Sequence, residues 1–243
     1  LISHLCADPT NDGGQFDMLV NIVTKYGIVP KSVYPETKCC VASRRMNQFL
    51  LNKLRTYASE LRNYAKSSKA SVDELYAKKN DMMIEYHRIL AIFFGQPPSS
   101  IKAFDFKFRD KDGKFKIFKN LTPKIFYEKF GKPAFNVSSN ISLINDPRNE
   151  YYKLYTVEYL GNVVGGAKIR YINLPIDELR LAVKKTIDQD LPVWFGCDVG
   201  KSEDRQKGLL DADLYDYESV FGTGFTMDKT ERLLYGESLM THA

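Results

Sequence analysis

The chain has 243 residues, enough for one large domain or two modest ones, and its 44% hydrophobic and 27% charged content is ordinary for a soluble globular protein. The net charge is +5 and the pI about 8.8, with Lys and Arg interspersed among Asp and Glu, so a solvated mixed-charge surface is the simpler reading than a basic groove. No apolar run approaches the roughly 20 residues that span a bilayer, and Leu1-Ile-Ser-His-Leu-Cys-Ala-Asp8 has neither the basic start nor the long apolar core of a signal peptide, which argues against a membrane protein.

In chain order, Asn11-Asp12-Gly13-Gly14 reads as a tight turn, and residues 15–26 as a helix with Phe16, Leu19, Val20 and Val23 at helical spacing. Gly27 is its natural stop, with Pro30 just beyond. Residues 43–66 predict a longer helix whose apolar stripe is Met46, Phe49, Leu50, Leu54, Tyr57, Leu61 and Tyr64. Ser71-Val-Asp-Glu74 is a capping box that opens a third helix, striped by Met82, Tyr86, Ile89, Leu90 and Phe93 and ended by Gly95 and Pro97. The two form a helical hairpin whose apolar stripe needs a further layer or another subunit.

The period then changes to two. Phe104, Phe106 and Phe108 alternate with polar residues, and Phe115 and Ile117 resume after Asp112-Gly113, which predicts a β-hairpin. Asp110-Lys-Asp112-Gly113 has its glycine too early, and no bidentate Glu, for a calcium loop. Thr122-Pro123 opens a short helix that Gly131 is expected to close. Strand-like stretches follow at Ile141–Ile144 and Tyr155–Val164. Pro175 opens an amphipathic helix bearing Ile176, Leu179, Val183 and Ile187, Pro192–Val199 reads as a buried strand, and Glu237–Ala243 as a strand at the end of the chain.

The sequence has no phosphate loop, dinucleotide glycine fingerprint, HExxH or GxSxG elbow. Four cysteines (Cys6, Cys39, Cys40, Cys197) without a CxxC pair, and three histidines (His4, His87, His242), argue against a zinc site, so no metal and no cofactor is expected. Few cysteines and no signal peptide make the cytoplasm the expected compartment; Asn136-Val-Ser138 and Asn140-Ile-Ser142 match the glycosylation pattern, which is too short to weigh against it. Of the histidines, His87 sits inside the third helix and reads as structural. His242 follows the small-residue run Gly236-Glu-Ser-Leu-Met-Thr241, and composition alone leaves it one candidate among three.

The order of features changes that. The Asp12-Gly-Gly turn leads into a helix ending Tyr26-Gly-Ile and a Tyr34-Pro35 segment. The Pro175 helix then precedes Pro192-Val-Trp-Phe-Gly-Cys-Asp-Val-Gly200, and the chain closes on Met240-Thr-His-Ala243. In that order these resemble the landmarks of papain-like cysteine peptidases. The long insertion with the helical and Phe-rich hairpins, together with Leu154-Tyr-Thr-Val-Glu-Tyr-Leu160, Leu214-Tyr-Asp-Tyr-Glu218 and Glu237-Ser-Leu-Met240, resembles the bleomycin hydrolase and aminopeptidase C group over essentially the whole chain.

The resemblance implies an α+β, papain-like cysteine peptidase fold, incomplete, with a large mainly helical insertion. Residues 1–40 would belong to the helical subdomain, 41–150 to the insertion and 151–243 to the β-rich subdomain. It implies a hydrolase, a thiol protease acting on peptide or aminoacyl-amide substrates, in which His242 is the general acid/base. Gly13 and Gly14 would pair their backbone with substrate, where a side chain would obstruct the approach, and Gly196 and Met240 would wall the specificity pocket. The family's nucleophilic cysteine precedes the glycine turn in a Gln…Cys-Trp context, and its orienting asparagine follows the histidine; neither motif is present. Cys6 is too close to the turn, and Cys39, Cys40 and Cys197 match structural positions. The chain lacks an initiator methionine and stops at Thr-His-Ala, so it is expected to be an internal piece that is inactive alone. The resemblance also implies a homohexamer with the 43–94 hairpin in subunit contacts. The competing reading is a non-enzymatic interaction module that binds nucleic acid through Arg44, Arg45, Lys53, Arg55 and Arg62.

Overall fold

A computed structural model of the chain describes residues 7, 14–68, 70–98 and 102–238. It divides into two compact units, Leu1–Gly14 with Ile22–Asn136, and Gln15–Asn21 with Val137–Ala243. Helix α1 (Phe16–Tyr26) contributes its first part to the second unit and its last part to the first.

In the first unit, Gly27 ends α1 as expected, with φ +79°. It is also a close-approach site: a Cβ built there would lie 2.3 Å from the Pro123 carbonyl carbon, and the Ile28 amide donates to the Pro123 carbonyl at 3.2 Å. Only glycine meets both demands. Short helix α2 (Lys38–Val41) follows, and the Cys40 sulfur accepts from the Thr37 amide at its start. Helices α3 (Arg44–Ser68) and α4 (Val72–Phe94) form the anticipated hairpin. They are antiparallel: Phe49 meets Phe93 at 6.2 Å, Lys53 meets Glu85 at 3.0 Å, and the Lys78 ammonium lies over the Tyr64 ring at 5.5 Å. The Ser71–Glu74 capping box is formed in both directions. The Thr37 hydroxyl donates to the Phe93 carbonyl at 2.8 Å and the Tyr34 hydroxyl to the Gly95 carbonyl at 3.3 Å, satisfying groups that the end of α4 leaves unpaired. The seam is narrow. Met46, Leu50, Tyr57 and Met82 are buried, whereas Phe49, Tyr76, Ile84 and Ile92 stand exposed.

Strands β1 (Phe104–Arg109) and β2 (Phe115–Leu121) pair antiparallel, Phe106 opposite Phe118 and Arg109 opposite Phe115. Asp110 is spent on the turn: its Oδ1 accepts from the amides of Asp112 at 3.0 Å and Lys114 at 2.9 Å. The inward phenylalanines close on helix α5 (Pro123–Phe126) and the turn after it, with Phe106–Phe126 and Phe118–Phe130 rings 5.1 and 4.9 Å apart. Thr122 caps α5 by accepting from the Ile125 amide. Gly131 does not end this segment. The chain stays helical through a π-turn (Tyr127–Gly131) and a last turn (Lys132–Ala134). Gly131 is there for space, since a Cβ would meet Tyr127 Cδ2 at 2.7 Å and Ile28 Cδ1 at 2.9 Å.

The second unit is built on a three-stranded sheet in the order β3 (Ser142–Ile144), β5 (Tyr171–Asn173), β4 (Leu154–Tyr155), with β3 parallel and β4 antiparallel to β5. Ile144, Ile169 and Tyr171 form its buried core, with Met18 and Leu160 packed against it. The expected strand over Tyr155–Val164 is only the two-residue β4. The rest is turns and irregular backbone, held to α1 by side chains: Asn162 Nδ2 donates to the Met18 carbonyl at 3.0 Å, and just beyond the stretch the Asn21 amide both donates to and accepts from the Ala167 backbone at 2.9 Å. Helix α6 (Ile176–Ile187) starts after Pro175 as expected and buries Leu179.

Pro192–Val199 departs further from expectation. It forms no strand, and Trp194 and Phe195 are 64% and 69% exposed. An apolar run signals burial without specifying a hydrogen-bonding partner, and among the described residues no strand pairs with this one. A small hairpin, β6 (Glu203–Asp204) with β7 (Leu209–Leu210), and short helices α7 (Tyr217–Phe221) and α8 (Lys229–Leu234) follow. The last two were not anticipated, although Asp228 and Glu231 form a full capping box. Of the expected strand at Glu237–Ala243, residues 239–243 lie outside the described residues.

Candidate active site

Two expected site residues fall within the described structure. Gly14 is exposed, in non-regular backbone just ahead of α1, and Gly196 is half-buried in the irregular Pro192–Val199 stretch. Gly13, Met240 and His242 lie outside the described residues, as do His4 and Cys6. The start of α1 nonetheless has visible anchors. Phe16, the first residue of α1, meets the Trp194 ring edge-on, centroids 5.9 Å apart. Within the same unit Asp17 accepts from the Arg170 amide at 2.8 Å, which fixes the first turn of α1 against the chain leading into β5.

A buried polar knot supports the β-rich unit. Asn173 is fully buried; its Oδ1 accepts from the Asp146 amide at 2.8 Å, and its Nδ2 donates to the carbonyls of Asp146, Asn149 and Glu150 at 2.9–3.2 Å. The Arg148 guanidinium grips Asp146 through two hydrogen bonds of 2.9 and 2.8 Å, which holds that carboxyl below the usual carboxylate range. The half-buried Lys229 at the start of α8 donates to Asn145 Oδ1 at 2.8 Å, and burial lowers its ammonium pKa.

A second polar cluster sits directly after Gly196 and Cys197. Asp198 accepts from the Ser238 hydroxyl at 3.0 Å, chiefly the bond that holds its carboxyl low, and ion-pairs with Lys201 at 3.2 Å. Lys201 also donates to Glu237 Oε1 at 2.9 Å and to the Glu237 carbonyl, so that Glu237 raises its pKa. Arg232 on α8 approaches the other Glu237 oxygen at 3.8 Å. Sequence reasoning missed both clusters. Each joins residues far apart in the chain, and an isolated Asp, Lys or Asn carries no signal of its partner.

The described cysteines Cys39, Cys40 and Cys197 are free thiols, and Cys40 serves the start of α2. Among the described residues no group of His, Cys, Asp and Glu could hold a metal ion, and no helix is long and apolar enough to cross a membrane. The basic residues of α3 do not act as one set. Arg44, Arg45 and Arg62 are exposed, while Lys53 is engaged by Glu85 and the Tyr57 ring, and Arg55 donates to the Ala7 carbonyl at 2.7 Å. His87 is exposed on α4.

Comparison with known proteins gives this arrangement a family. The chain is 48% identical to human bleomycin hydrolase (Homo sapiens) and 43% identical to aminopeptidase C of Streptococcus thermophilus, in each case over 100% of its own length, and it covers 53% and 54% of those proteins. It therefore spans about half the length of the curated relatives it matches. The crystal structure of PepW from Lactobacillus rhamnosis superposes with a TM-score of 0.90 at 46% identity, over 99% of this chain and 53% of that one. The model of the Peptidase C1-like family matches residues 1–243. With an α+β structure and this likeness along its whole length, the chain belongs to the Peptidase C1-like family of cysteine peptidases.

Proposed function

We propose that these residues are part of a cysteine aminopeptidase that hydrolyses N-terminal peptide and aminoacyl-amide bonds. The observation that carries this reading is the likeness along the entire chain to proteins named bleomycin hydrolase and aminopeptidase C. Residues 1–40 and 151–243 are assigned to the two peptidase subdomains and 41–150 to the insertion. His242 is the general acid/base. The thiolate it sustains attacks the scissile carbonyl carbon; the imidazolium then protonates the leaving amine as the C–N bond breaks. The acyl group is then held as a thioester on the cysteine; His242 takes a proton from water, which attacks that carbonyl, and the C–S bond breaks to release the carboxylic acid and restore the thiolate beside the imidazolium. Gly13 and Gly14 align the substrate backbone, and Gly196 and Met240 wall the pocket. The nucleophilic cysteine and the orienting asparagine come from parts of the full-length protein outside residues 1–243. The full-length protein is read as a cytoplasmic homohexamer by its resemblance to that group, and the apolar side chains that α3 and α4 leave exposed, Phe49, Ile84 and Ile92 among them, support a further covering contact for this hairpin.

The test is turnover of an aminoacyl-coumarin substrate. The full-length protein is expected to be active, His242→Ala to lose at least about a thousandfold in kcat, and the 243-residue chain alone to be silent. Turnover by the isolated chain that disappears in its His242→Ala variant would overturn this division of the machinery. Unchanged activity in full-length His242→Ala would overturn the assignment of the base.

A further inference from the structure

The second unit is poorer in core than its length requires. Among its described residues the buried apolar side chains are Val137, Ile144, Ile169, Tyr171, Leu179 and Leu233, and exposed large apolar side chains outnumber them several times over. Its main sheet has strands of only two or three residues. So small a core does not offset the conformational entropy lost in ordering about a hundred residues. Four of the exposed side chains are gathered in one place. Tyr217, the first residue of α7, meets Phe225 edge-on at 5.1 Å, stacks on Phe221 at 6.4 Å and lies 5.9 Å from Tyr215, all between ring centroids. Tyr215, Phe221 and Phe225 are 51%, 70% and 81% exposed. The backbone that carries them is fixed at both ends of α7: Asp216 accepts from the Ser219 amide at 3.0 Å, and Gly222, at φ +69°, ends the helix. The rings therefore form one apolar face on ordered chain.

We propose that the face formed by Tyr215, Tyr217, Phe221 and Phe225 is an internal docking surface for the remainder of the same polypeptide: the parts of the full-length protein outside residues 1–243 pack on it and complete the core of the second unit. The amount of chain fits this role. Residues 1–243 cover only 53% and 54% of the relatives they match, so nearly as much chain again is there to do the covering. A second copy of the protein fits less well. A subunit contact is laid on a unit that already holds its own core, whereas clustered large rings on a unit short of core have the character of a domain interior laid open. Rings also suit an interior physically, since they bring much apolar area into close packing and prefer the edge-on and offset contacts that Tyr217 already makes. The inference rests on the chain being part of a longer cysteine peptidase.

The test uses the full-length protein. Hydroxyl-radical footprinting reads the oxidation of Tyr215, Tyr217, Phe221 and Phe225 in the unaltered protein, each against the same residue in urea. The four rings are expected to oxidise at least about tenfold more slowly in the native protein. Photo-crosslinking then identifies what covers them, with Phe225 replaced by p-benzoylphenylalanine, or Tyr215 at the edge of the cluster if position 225 does not tolerate the probe. The expected product runs at the mass of one chain on a denaturing gel, and its cross-linked peptide comes from outside residues 1–243. Rings that oxidise as fast in the native protein as in urea would show an open face and overturn the proposal. A product at the mass of two chains, which makes the occupant a second copy, would overturn it too, as would an internal cross-link to a peptide within residues 1–243. Turnover of an aminoacyl-coumarin by the same sample separates the two levels of the argument. An active protein with open rings loses the docking surface alone; an inactive protein that gives the expected cross-link loses the peptidase reading alone.

Discussion

Asn173 is where the structure makes its most demanding claim. The side chain is fully buried and answers four backbone groups of the 146–150 loop. Asn173→Ala removes the acceptor of the Asp146 amide and the donor shared by three carbonyls. A buried polar group left unpaired costs about 1–3 kcal/mol, and the vacated space adds to that, so the loss should be about 3–5 kcal/mol. That is large against the total stability of a domain this size and corresponds to a fall of roughly 10–25 °C in the melting of the second unit. The assay is urea unfolding combined with amide hydrogen exchange: the Asp146 amide should lose protection, while the α3–α4 seam in the other unit keeps its own. Two further variants separate causes. Asn173→Leu fills the space without supplying hydrogen bonds and should remain destabilised by at least about 2 kcal/mol. Asn173→Asp turns carboxylate oxygens toward three carbonyls, an environment that favours the protonated acid. Its pKa in the folded state is then raised above the unfolded value, so relative to Asn173→Ala its stability should recover as pH falls toward about 4. If Asn173→Leu costs less than about 1 kcal/mol, the site is held by packing volume and the hydrogen-bond argument is wrong.

Two other expectations can be checked by the same measurements. Gly27→Ala meets both a φ of +79° and the Pro123 backbone at 2.3 Å; it should cost at least about 2 kcal/mol and release the Ile28 amide to exchange, and a neutral substitution would contradict the close approach. Tyr171 has its phenol pushed up to about 12, by burial first and by the Asp17 charge second. Its folded pKa exceeds the ordinary value near 10, so its contribution is complete below about pH 10 and is lost as pH rises toward 12. Wild-type stability should therefore fall over that window, and Tyr171→Phe should flatten the profile; equal slopes in the two proteins would count against it.

Local signals in the sequence determined much of the fold and nearly all of the family. Gly27 ends α1, Ser71-x-x-Glu74 opens α4, the alternating phenylalanines make β1 and β2, and Thr122-Pro123 opens α5, because each of these depends on residues within a turn of one another. The ordered landmarks from Asp12 to Ala243 are specific enough to identify the family. The local rules fell short at Gly131, which serves packing against Tyr127 and Ile28, and at Tyr155–Val164 and Pro192–Val199, whose apolar runs do not become strands. A strand is completed by a partner that may lie anywhere in the chain, and an apolar run names no partner. Only the tertiary structure could decide that Asn173 closes the 146–150 loop, that Asn21 pairs with Ala167 across 146 residues, and that Asp198 and Lys201 meet Glu237 and Ser238 just ahead of the segment that bears His242. These are single polar side chains whose roles exist only once the backbone brings their partners within 3 Å or so, and a buried hydrogen bond leaves no periodicity in the sequence to be read.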